Sequence, residues 1–115
     1  MHAKAQEISV RSNGDVSVID IKGDVTAQTG QPIEDAYHQV TAAGAKKILL
    51  VFALDCYINS GGIATLISIL SESKKMEQAI RMTGLSSHFQ KIFAMVGLTK
   101  YAQIRPTEEA ALADF

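Results

Sequence analysis

The residues best suited to chemistry in this 115-residue chain lie together in one short segment, residues 55–63. The segment follows an apolar run and precedes an amphipathic pattern, so it joins a predicted strand to a predicted helix. Asn59 and Ser60 are both residue types that favour the N-terminal cap of a helix. A serine there is a candidate phosphate acceptor, because the free N–H groups and the helix dipole tolerate negative charge. Phosphorylation of Ser60 would add about two negative charges at an exposed corner without unfolding the domain.

The same segment also has a purely structural interpretation. Gly61 and Gly62 are poor helix formers. Their small size would let another backbone or a partner surface approach closely. On the residues alone, we favour a capped helix whose small residues pack under a neighbouring loop. The interpretation of Ser60 as a phosphate acceptor is the more specific alternative.

Other chemistries find little support in the sequence. A nucleophile elbow needs glycine two residues before Ser60, where Ile58 stands, and a phosphate-binding loop needs lysine after its last glycine, where Ile63 stands. The histidines have no spacing typical of metal ligands, either with one another or with the single cysteine: His2, His38, His88 and Cys56. The sequence therefore predicts no enzyme, no metal and no cofactor, although fold alone would not exclude an enzyme or a small-ligand binder.

Composition is that of an ordinary globular protein. The length predicts a single domain spanning residues 1–115. The formal net charge of −1 argues against direct binding of nucleic acid. The chain has no apolar run long enough to insert into a membrane, and its polar first seven residues lack the apolar stretch of a signal peptide. We therefore expect a cytoplasmic protein.

Helical periodicity occurs three times, each time with apolar residues at i, i+3, i+4 and i+7. The three predicted apolar stripes are Ile33, Ala36, Tyr37 and Val40; Ile63, Leu66, Ile67 and Leu70; and Phe89, Ile92, Phe93 and Val96. The first helix is predicted to begin at Pro32 and to end at Gly44. Ser86 and Ser87 are cap candidates for the third, which should end at Gly97. Thr107 should cap a short last helix over residues 107–113.

Strands occupy the intervals between these helices. Ile8 and Val10 alternate with polar residues, Asn13-Gly14 predicts a tight hairpin turn, and residues 16–21 form the partner strand. The continuous apolar run at residues 48–52 predicts a central strand covered on both faces. Two shorter strands are predicted at residues 79–82 and 101–104. The element order β-β-α-β-α-β-α-β-α predicts an α/β fold, with a mixed four- to five-stranded sheet and about four helices packed on it.

Three segments, taken together, resemble the signature of the STAS superfamily, particularly that of the bacterial anti-sigma-factor antagonists. Residues 58–66 are similar to the family pattern of apolar, Asp, Ser, Ser/Thr, Gly, apolar, small, any, Leu. Residues 21–26 resemble the turn that leads to the family's first helix, and residues 84–112 resemble its C-terminal half. The resemblance covers nearly the whole chain, and its element order is the predicted one. It implies a single-domain STAS-like fold.

The resemblance implies a protein that has no catalysis of its own and works by partner switching. Its unphosphorylated form would bind an anti-sigma factor, itself a serine kinase of the GHKL type, and thereby release the sigma factor. The kinase would phosphorylate Ser60 to block binding, and a PP2C-type phosphatase would reverse the modification. The implied partner-binding residues are Asp24, Val25, Thr26, Tyr57, Asn59, Ser60, Gly61, Gly62 and Ile63.

Within the motif around Ser60, the sequence departs from the family pattern at two positions. Asn59 stands where the family usually has Asp, and Gly61 where it usually has Ser or Thr. Asn59 keeps the cap but removes a negative charge beside the acceptor, and Gly61 leaves Ser60 as the only acceptor in the motif. These departures motivate an alternative, a STAS adaptor or scaffold subunit of a sensory or transport complex that is not phosphorylated. An exposed corner that includes Tyr57 would serve a partner or a homodimer equally well, and an exposed Met95 would suit an adaptable protein contact.

Overall fold

A β-hairpin opens the part of the chain that the structure describes. The computed structural model describes residues 7–53 and 55–115, so the predictions for the N-terminal residues, including His2, lie outside it. Strands β1 (Glu7–Asn13) and β2 (Val16–Lys22) pair antiparallel. The hairpin is confirmed, but its turn lies one residue later than predicted, at residues 14–15. Asn13 still pairs with Val16, and Gly14 supplies the positive φ, +62°, that the turn requires.

Three further strands complete a five-stranded mixed sheet. They are β3 (Lys47–Phe52), β4 (Ala79–Thr83) and β5 (Ala102–Ile104). The sheet order is β1-β2-β3-β4-β5, and every pair after the hairpin is parallel. Strand β3 is central and covered on both faces, as its apolar run predicts. Ile48 and Leu50 face the larger apolar cluster and Leu49 faces the smaller one.

In the described part of the chain, four α-helices cover the two faces of the sheet unequally. The helices α1 (Gln31–Ala42), α2 (Ser60–Lys75) and α3 (Ser87–Met95) contribute buried residues to the larger cluster. The short α4 (Glu108–Leu112) packs in the smaller cluster on the opposite face. The predicted element order and fold class are therefore confirmed, with one additional 3₁₀ turn at Leu98–Lys100.

The predicted helix ends agree closely with the structure. Ser86 caps α3 by accepting the Phe89 N–H at 3.2 Å, and Thr107 caps α4 by accepting the Ala110 N–H at 3.0 Å. Gly44 and Gly97 follow α1 and α3 with φ of +92° and +85°. These are the left-handed positions that glycine favours at a helix C-terminus.

Two of the predicted apolar stripes are partly wrong. Helix α2 buries a face that begins one residue earlier than predicted: Gly62, Thr65, Leu66, Ile69, Leu70 and Ser73. Ile67 is 44% exposed and Ile63 is only partly buried. In α3, Val96 is the residue after the helix and is 49% exposed. The pattern counts apolar residues alone, whereas α2 meets its neighbours through small residues.

Ion pairs hold α4 against its face of the sheet. Arg11 donates from Nε to Asp20 at 2.6 Å, and from both Nη atoms to the Glu108 carboxylate at 2.8 and 2.6 Å. Arg81 donates to the Ala111 carbonyl and to Asp114, each at 2.8 Å. The hydrogen bond from Arg11 lowers the pKa of Glu108. Within the described residues no helix has the length and hydropathy needed to span a membrane.

Candidate functional site

The candidate site is the corner where α2 begins, and its first element is the cap of that helix. Asn59 has extended backbone, and its side-chain oxygen accepts the Gly62 N–H at 3.0 Å. The Asn59 carbonyl accepts the Ile63 N–H at 2.9 Å, which starts the helical ladder. Ser60 is consequently the first residue of α2, and its side chain is exposed. Asn59 thus takes the capping role and leaves the Ser60 hydroxyl outside the cap.

The loop after β2 is joined to the segment that precedes α2. Val25 donates its N–H to the Tyr57 carbonyl at 2.8 Å and accepts the Asn59 N–H at 3.1 Å. These bonds form an isolated parallel bridge between Val25 and Ile58, and both side chains are buried. The two segments therefore behave as one unit. We call residues 24–29 together with residues 57–63 the Ser60 corner.

Two threonines close the loop portion of the Ser60 corner. The Thr29 hydroxyl accepts the Thr26 N–H at 2.8 Å and donates to the Asp24 carbonyl at 2.8 Å. Just outside the corner, the buried Cys56 thiol donates to the Gly23 carbonyl at 2.9 Å. Through these hydrogen bonds, the side chains hold the loop at the start of α2.

Close packing explains both glycines of the motif. A Cβ at Gly61 would lie 2.7 Å from the backbone nitrogen and the Cβ of Ala27. A Cβ at Gly62 would overlap the carbonyl group of Val25. A longer side chain at either position would push the loop away from α2, so the close approach of another backbone predicted for these glycines occurs within the chain itself.

The electrostatics of the corner suit an added anion. Asn59 accepts the Gly62 N–H, whereas the N–H groups of Ser60 and Gly61 have no partner in the helical ladder, and the helix dipole places partial positive charge there. The first turn of α2 has no acidic residue. The exposed Ser60 hydroxyl lies at this end of the helix, so a phosphate on it would find N–H donors nearby.

The structure brings all nine predicted partner-binding residues into the Ser60 corner, with different exposure. Ser60 is exposed and Tyr57 is 56% exposed. The remaining predicted residues are partly or fully buried: Asp24, Val25, Thr26, Asn59, Gly61, Gly62 and Ile63. The Val25 side chain is wholly buried, so it contributes to the corner through its backbone.

Tyr57 links the corner to helix α3, which sequence reasoning did not foresee. Its ring packs edge-on against Phe89, with 6.0 Å between ring centroids and 72° between ring planes. The described part of the chain has no group of three His, Cys, Asp or Glu side chains arranged to hold a metal. The chemistry of the corner therefore lies in its serine, its helix start and its exposed tyrosine.

Comparison with known proteins identifies the family. A family model described as "Mlab, STAS domain" matches residues 8–106. The chain belongs to the STAS domain family. Among solved structures, an anti-sigma factor antagonist from Mycobacterium paratuberculosis superposes with a TM-score of 0.78 at 19% identity, over 95% of this chain and 92% of that one.

The Bacillus protein SpoIIAA gives the same result for the fold. Its phosphorylated form superposes on this STAS domain with a TM-score of 0.66, over 95% of this chain and 97% of that one. Its unphosphorylated form gives 0.68, over 94% and 93%, and both forms are 17% identical in sequence. These superpositions agree with the family match, so the STAS fold predicted from the sequence is confirmed.

Proposed function

We propose that this STAS domain is an anti-sigma-factor antagonist that works by partner switching at the Ser60 corner. The unphosphorylated form binds an anti-sigma factor that is also a serine kinase of the GHKL type. The sigma factor is then released. Phosphorylation of Ser60 blocks this binding, and a PP2C-type phosphatase restores it. The observation that carries the proposal is the exposed Ser60 hydroxyl at the first position of α2, beside a cap supplied by Asn59.

The geometry favours a local switch over a change of fold. The Ser60 corner is tied by the two Val25 hydrogen bonds and by the Thr26–Thr29 contacts. A phosphate at the helix start is compatible with this arrangement, because the first-turn N–H groups favour an anion. The phosphate would act by charge and bulk at the binding surface, where it repels or obstructs the docked partner.

The proposal also includes the remaining expectations about the chain. Residues 1–115 form one STAS domain that has no catalytic activity and acts in the cytoplasm. It binds proteins rather than nucleic acid and does not insert into a membrane. In this scheme the kinase and phosphatase supply the chemistry, and a homodimer remains an alternative use of the same corner.

Phosphate transfer from ATP by a GHKL-type anti-sigma kinase tests the assignment of the acceptor. We expect the wild-type chain to gain one phosphate in its intact mass, and the Ser60→Ala variant to gain none. Ser71→Ala is the matched control, because Ser71 is an exposed serine of the same helix. It should be labelled like the wild type. Label that persists on Ser60→Ala would overturn the assignment.

A binding measurement tests the switch itself. The purified kinase should bind the unphosphorylated chain and lose most of its affinity for the Ser60 phosphoprotein and for Ser60→Glu. Both forms are needed, because a carboxylate carries less charge than a phosphate. Equal affinity for the unphosphorylated and phosphorylated protein would contradict partner switching.

A second candidate function is a STAS adaptor that is never phosphorylated, as a scaffold subunit of a sensory or transport complex. The observation that favours it is the close fit of Gly61 against Ala27, which accounts for the motif by internal packing alone. Intact-mass measurement of protein purified from its native host separates the two functions. A phosphate localised to Ser60 supports the antagonist. Unmodified protein under every growth condition, in complex with subunits other than a kinase, supports the adaptor.

A further inference from the structure

Strand β1 has the longer of the two free edges of the sheet that the structure describes. The sheet order places β1 at one end and β5 at the other, so each strand exposes a row of backbone N–H and C=O groups. Strand β5 has three residues, whereas β1 has seven and pairs with β2 without a bulge. Natural proteins usually keep edge strands short or interrupt them, because a long regular edge pairs with other strands. The β1 edge is therefore open to a further strand.

Strand β1 lacks the residues that usually protect an edge. Its sequence, Glu7–Asn13, contains no proline, glycine or lysine. Its one basic residue is Arg11, whose guanidinium bonds to Asp20 on β2 and to Glu108 on α4. The charge of Arg11 is therefore held over the sheet and not beside the free edge. An edge strand without a charge at its rim does not repel an incoming strand.

The register of the hairpin shows which backbone groups face the free edge. Asn13 and Val16 close a two-residue hairpin, so they form the hydrogen-bonded pair next to the turn. Hydrogen-bonded and non-hydrogen-bonded pairs alternate along an antiparallel ladder. The N–H and C=O groups of Ile8, Val10 and Ser12 are therefore directed away from β2, where a further antiparallel strand would bind them.

We propose that two copies of this chain pair through their β1 strands, antiparallel about a two-fold axis at Val10. In this register Val10 lies opposite Val10 of the second copy. Ile8 lies opposite Ser12, and Ser9 opposite Arg11, so no two like charges face each other. The pairing satisfies the outward backbone groups of both copies at once, as the symmetry of a two-fold interface requires.

The side of α1 beside this edge also suits a second copy. Helix α1 contacts β1 and β2, and its Thr41 accepts a hydrogen bond from Gln78, which follows α2. Thr41 therefore marks the side of α1 that faces α2, and the opposite side faces the β1 edge. That opposite side exposes Pro32, Gln39 and Ala43. The two-fold axis brings these uncharged sides of the two α1 helices next to each other, so the helices do not repel.

The antiparallel arrangement leaves both Ser60 corners available. Glu7 pairs with Lys22 at the end of β2, and the Ser60 corner follows that end. In the dimer the two Glu7 residues lie at opposite ends of the paired strands, about 20 Å apart. The dimer therefore presents two separate corners, and the β1 pairing does not rest on the proposed switch.

Sedimentation velocity of the full chain, from about 1 μM to about 1 mM, tests the pairing. We expect the mass to rise with concentration from that of one chain to that of two. Ser12→Pro should weaken the dimer at least about tenfold, because each copy loses an outward N–H donor. Ser12→Ala is the matched control, since it keeps the N–H, and should dimerise like the wild type. A wild-type chain that stays monomeric throughout, or a Ser12→Pro dimer of unchanged strength, would overturn the proposal.

A disulfide between copies tests the register without relying on the proline variant. Val10→Cys should link two chains on mild oxidation, because opposed Cα atoms at the axis lie about 5.5 Å apart. Glu7→Cys is the matched control on the same strand and should stay unlinked, because its two copies lie about 20 Å apart. The native Cys56 is buried. Linkage of Glu7→Cys without linkage of Val10→Cys would contradict the antiparallel pairing.

Ser60→Glu separates this inference from the proposed function. It should dimerise like the wild type, because the β1 edge does not contain Ser60. If Ser60→Glu dimerises normally and also keeps full affinity for the kinase, the switch fails and the β1 pairing stands. A dimer that is lost in Ser60→Glu but kept in Ser12→Pro would assign the contact to the Ser60 corner and overturn the β1 pairing.

Discussion

Gly62 lies directly against the carbonyl group of Val25, so that a Cβ at Gly62 would overlap it. The same carbonyl accepts the Asn59 N–H at 3.1 Å, and the Val25 N–H bonds to Tyr57. One backbone group of the loop therefore meets both the cap of α2 and the first turn of that helix. Ser60 is placed by this contact as much as by its own cap.

Replacement of Gly62 by alanine should destabilise the fold. In an exposed helix the same change gains about 1 kcal/mol, because alanine is the better helix former. Here the added methyl group forces the loop away from α2, and we expect a loss of about 1–3 kcal/mol in the free energy of unfolding. Urea denaturation of the two proteins measures the difference.

The Gly62→Ala substitution should lower the free energy of unfolding, whereas helix propensity alone would raise it. Ser71→Ala, on the exposed side of α2, serves as the control and should be neutral or slightly stabilising. If Gly62→Ala is as stable as the wild type or more stable, the contact with Val25 does not constrain the corner.

Removal of the Asn59 cap should lower the free energy of unfolding by less than the Gly62→Ala substitution does. Asn59→Ala leaves the Gly62 N–H without the acceptor that now lies at 3.0 Å. We expect a loss of about 1 kcal/mol in unfolding free energy. Asn59→Asp keeps the acceptor and places a negative charge at the helix start, so it should be at least as stable as the wild type. Thermal unfolding of the three proteins at one pH measures these differences. Equal stability of the Asn59→Ala and wild-type proteins would show that the cap does not contribute to stability.

The N-terminal ends of the helices were predictable because a cap depends on residues that are close together in the sequence. Asn59, Ser86 and Thr107 each accept an N–H from three residues ahead, and their residue types favour that role. The position of Ser60 at the start of α2 follows directly from the cap that precedes it. These features need no information from distant parts of the chain.

The inward face of α2 was not predictable in the same way. Apolar periodicity placed Ile67 inside, but the buried face includes Thr65 and Ser73 instead. Both hydroxyls are satisfied within the helix, by the Gly61 carbonyl at 3.2 Å and the Leu70 carbonyl at 2.7 Å. A hydroxyl that hydrogen-bonds within its own helix can be buried at little cost in free energy. A pattern that counts only apolar residues does not detect such a position.

The constraints on the site glycines were also hidden from the sequence. Gly61 and Gly62 meet Ala27 and Val25, which are more than 30 residues away along the chain. The parallel bridge between Val25 and Ile58 brings these backbones together. The residue types of the site were therefore recognisable, whereas the reason for two of them required the tertiary structure.

The C-terminal end of α2 contains a residue in an unfavourable backbone conformation. Glu77 has φ of +56°, and the bonds from Glu77 N–H to Lys74 and from Gln78 N–H to Ser73 form the terminating turn. Glycine occupies the equivalent place after α1, at Gly44. Glu77→Gly should therefore raise the free energy of unfolding by about 0.5–1 kcal/mol, as measured by chemical denaturation.

Glu77→Gln separates backbone strain from charge, because it removes the carboxylate and keeps the side chain. We expect it to match the wild type. Gly44→Ala tests the reverse change, since a Cβ there meets no other atom within 4 Å and only the backbone is affected. It should lose about 1 kcal/mol. A Glu77→Gly protein no more stable than Glu77→Gln would show that the turn is not strained.

The contact between Arg11 and Glu108 predicts a stability difference that depends on pH. The hydrogen bond from Arg11 holds the pKa of Glu108 below its ordinary value of about 4.5. A carboxyl whose pKa is lower in the folded state stabilises the fold above its unfolded pKa, and this contribution is lost as pH falls through the folded value. Because both side chains are partly exposed, we expect Glu108→Gln to lose only about 0.5 kcal/mol near neutral pH.

Glu109→Gln provides the matched control for this pair. Glu109 lies beside Glu108 in the first turn of α4, so both carboxylates meet the same helix dipole, but Arg11 bonds to Glu108. The gap between the two variants measures the Arg11 contact alone. Denaturation curves from about pH 7 to about pH 3 should show Glu108→Gln less stable than Glu109→Gln at the upper end, with the gap closing below about pH 4.5. A gap that persists unchanged to the lowest pH would mean that the carboxylate charge of Glu108 does not hold α4 to the sheet.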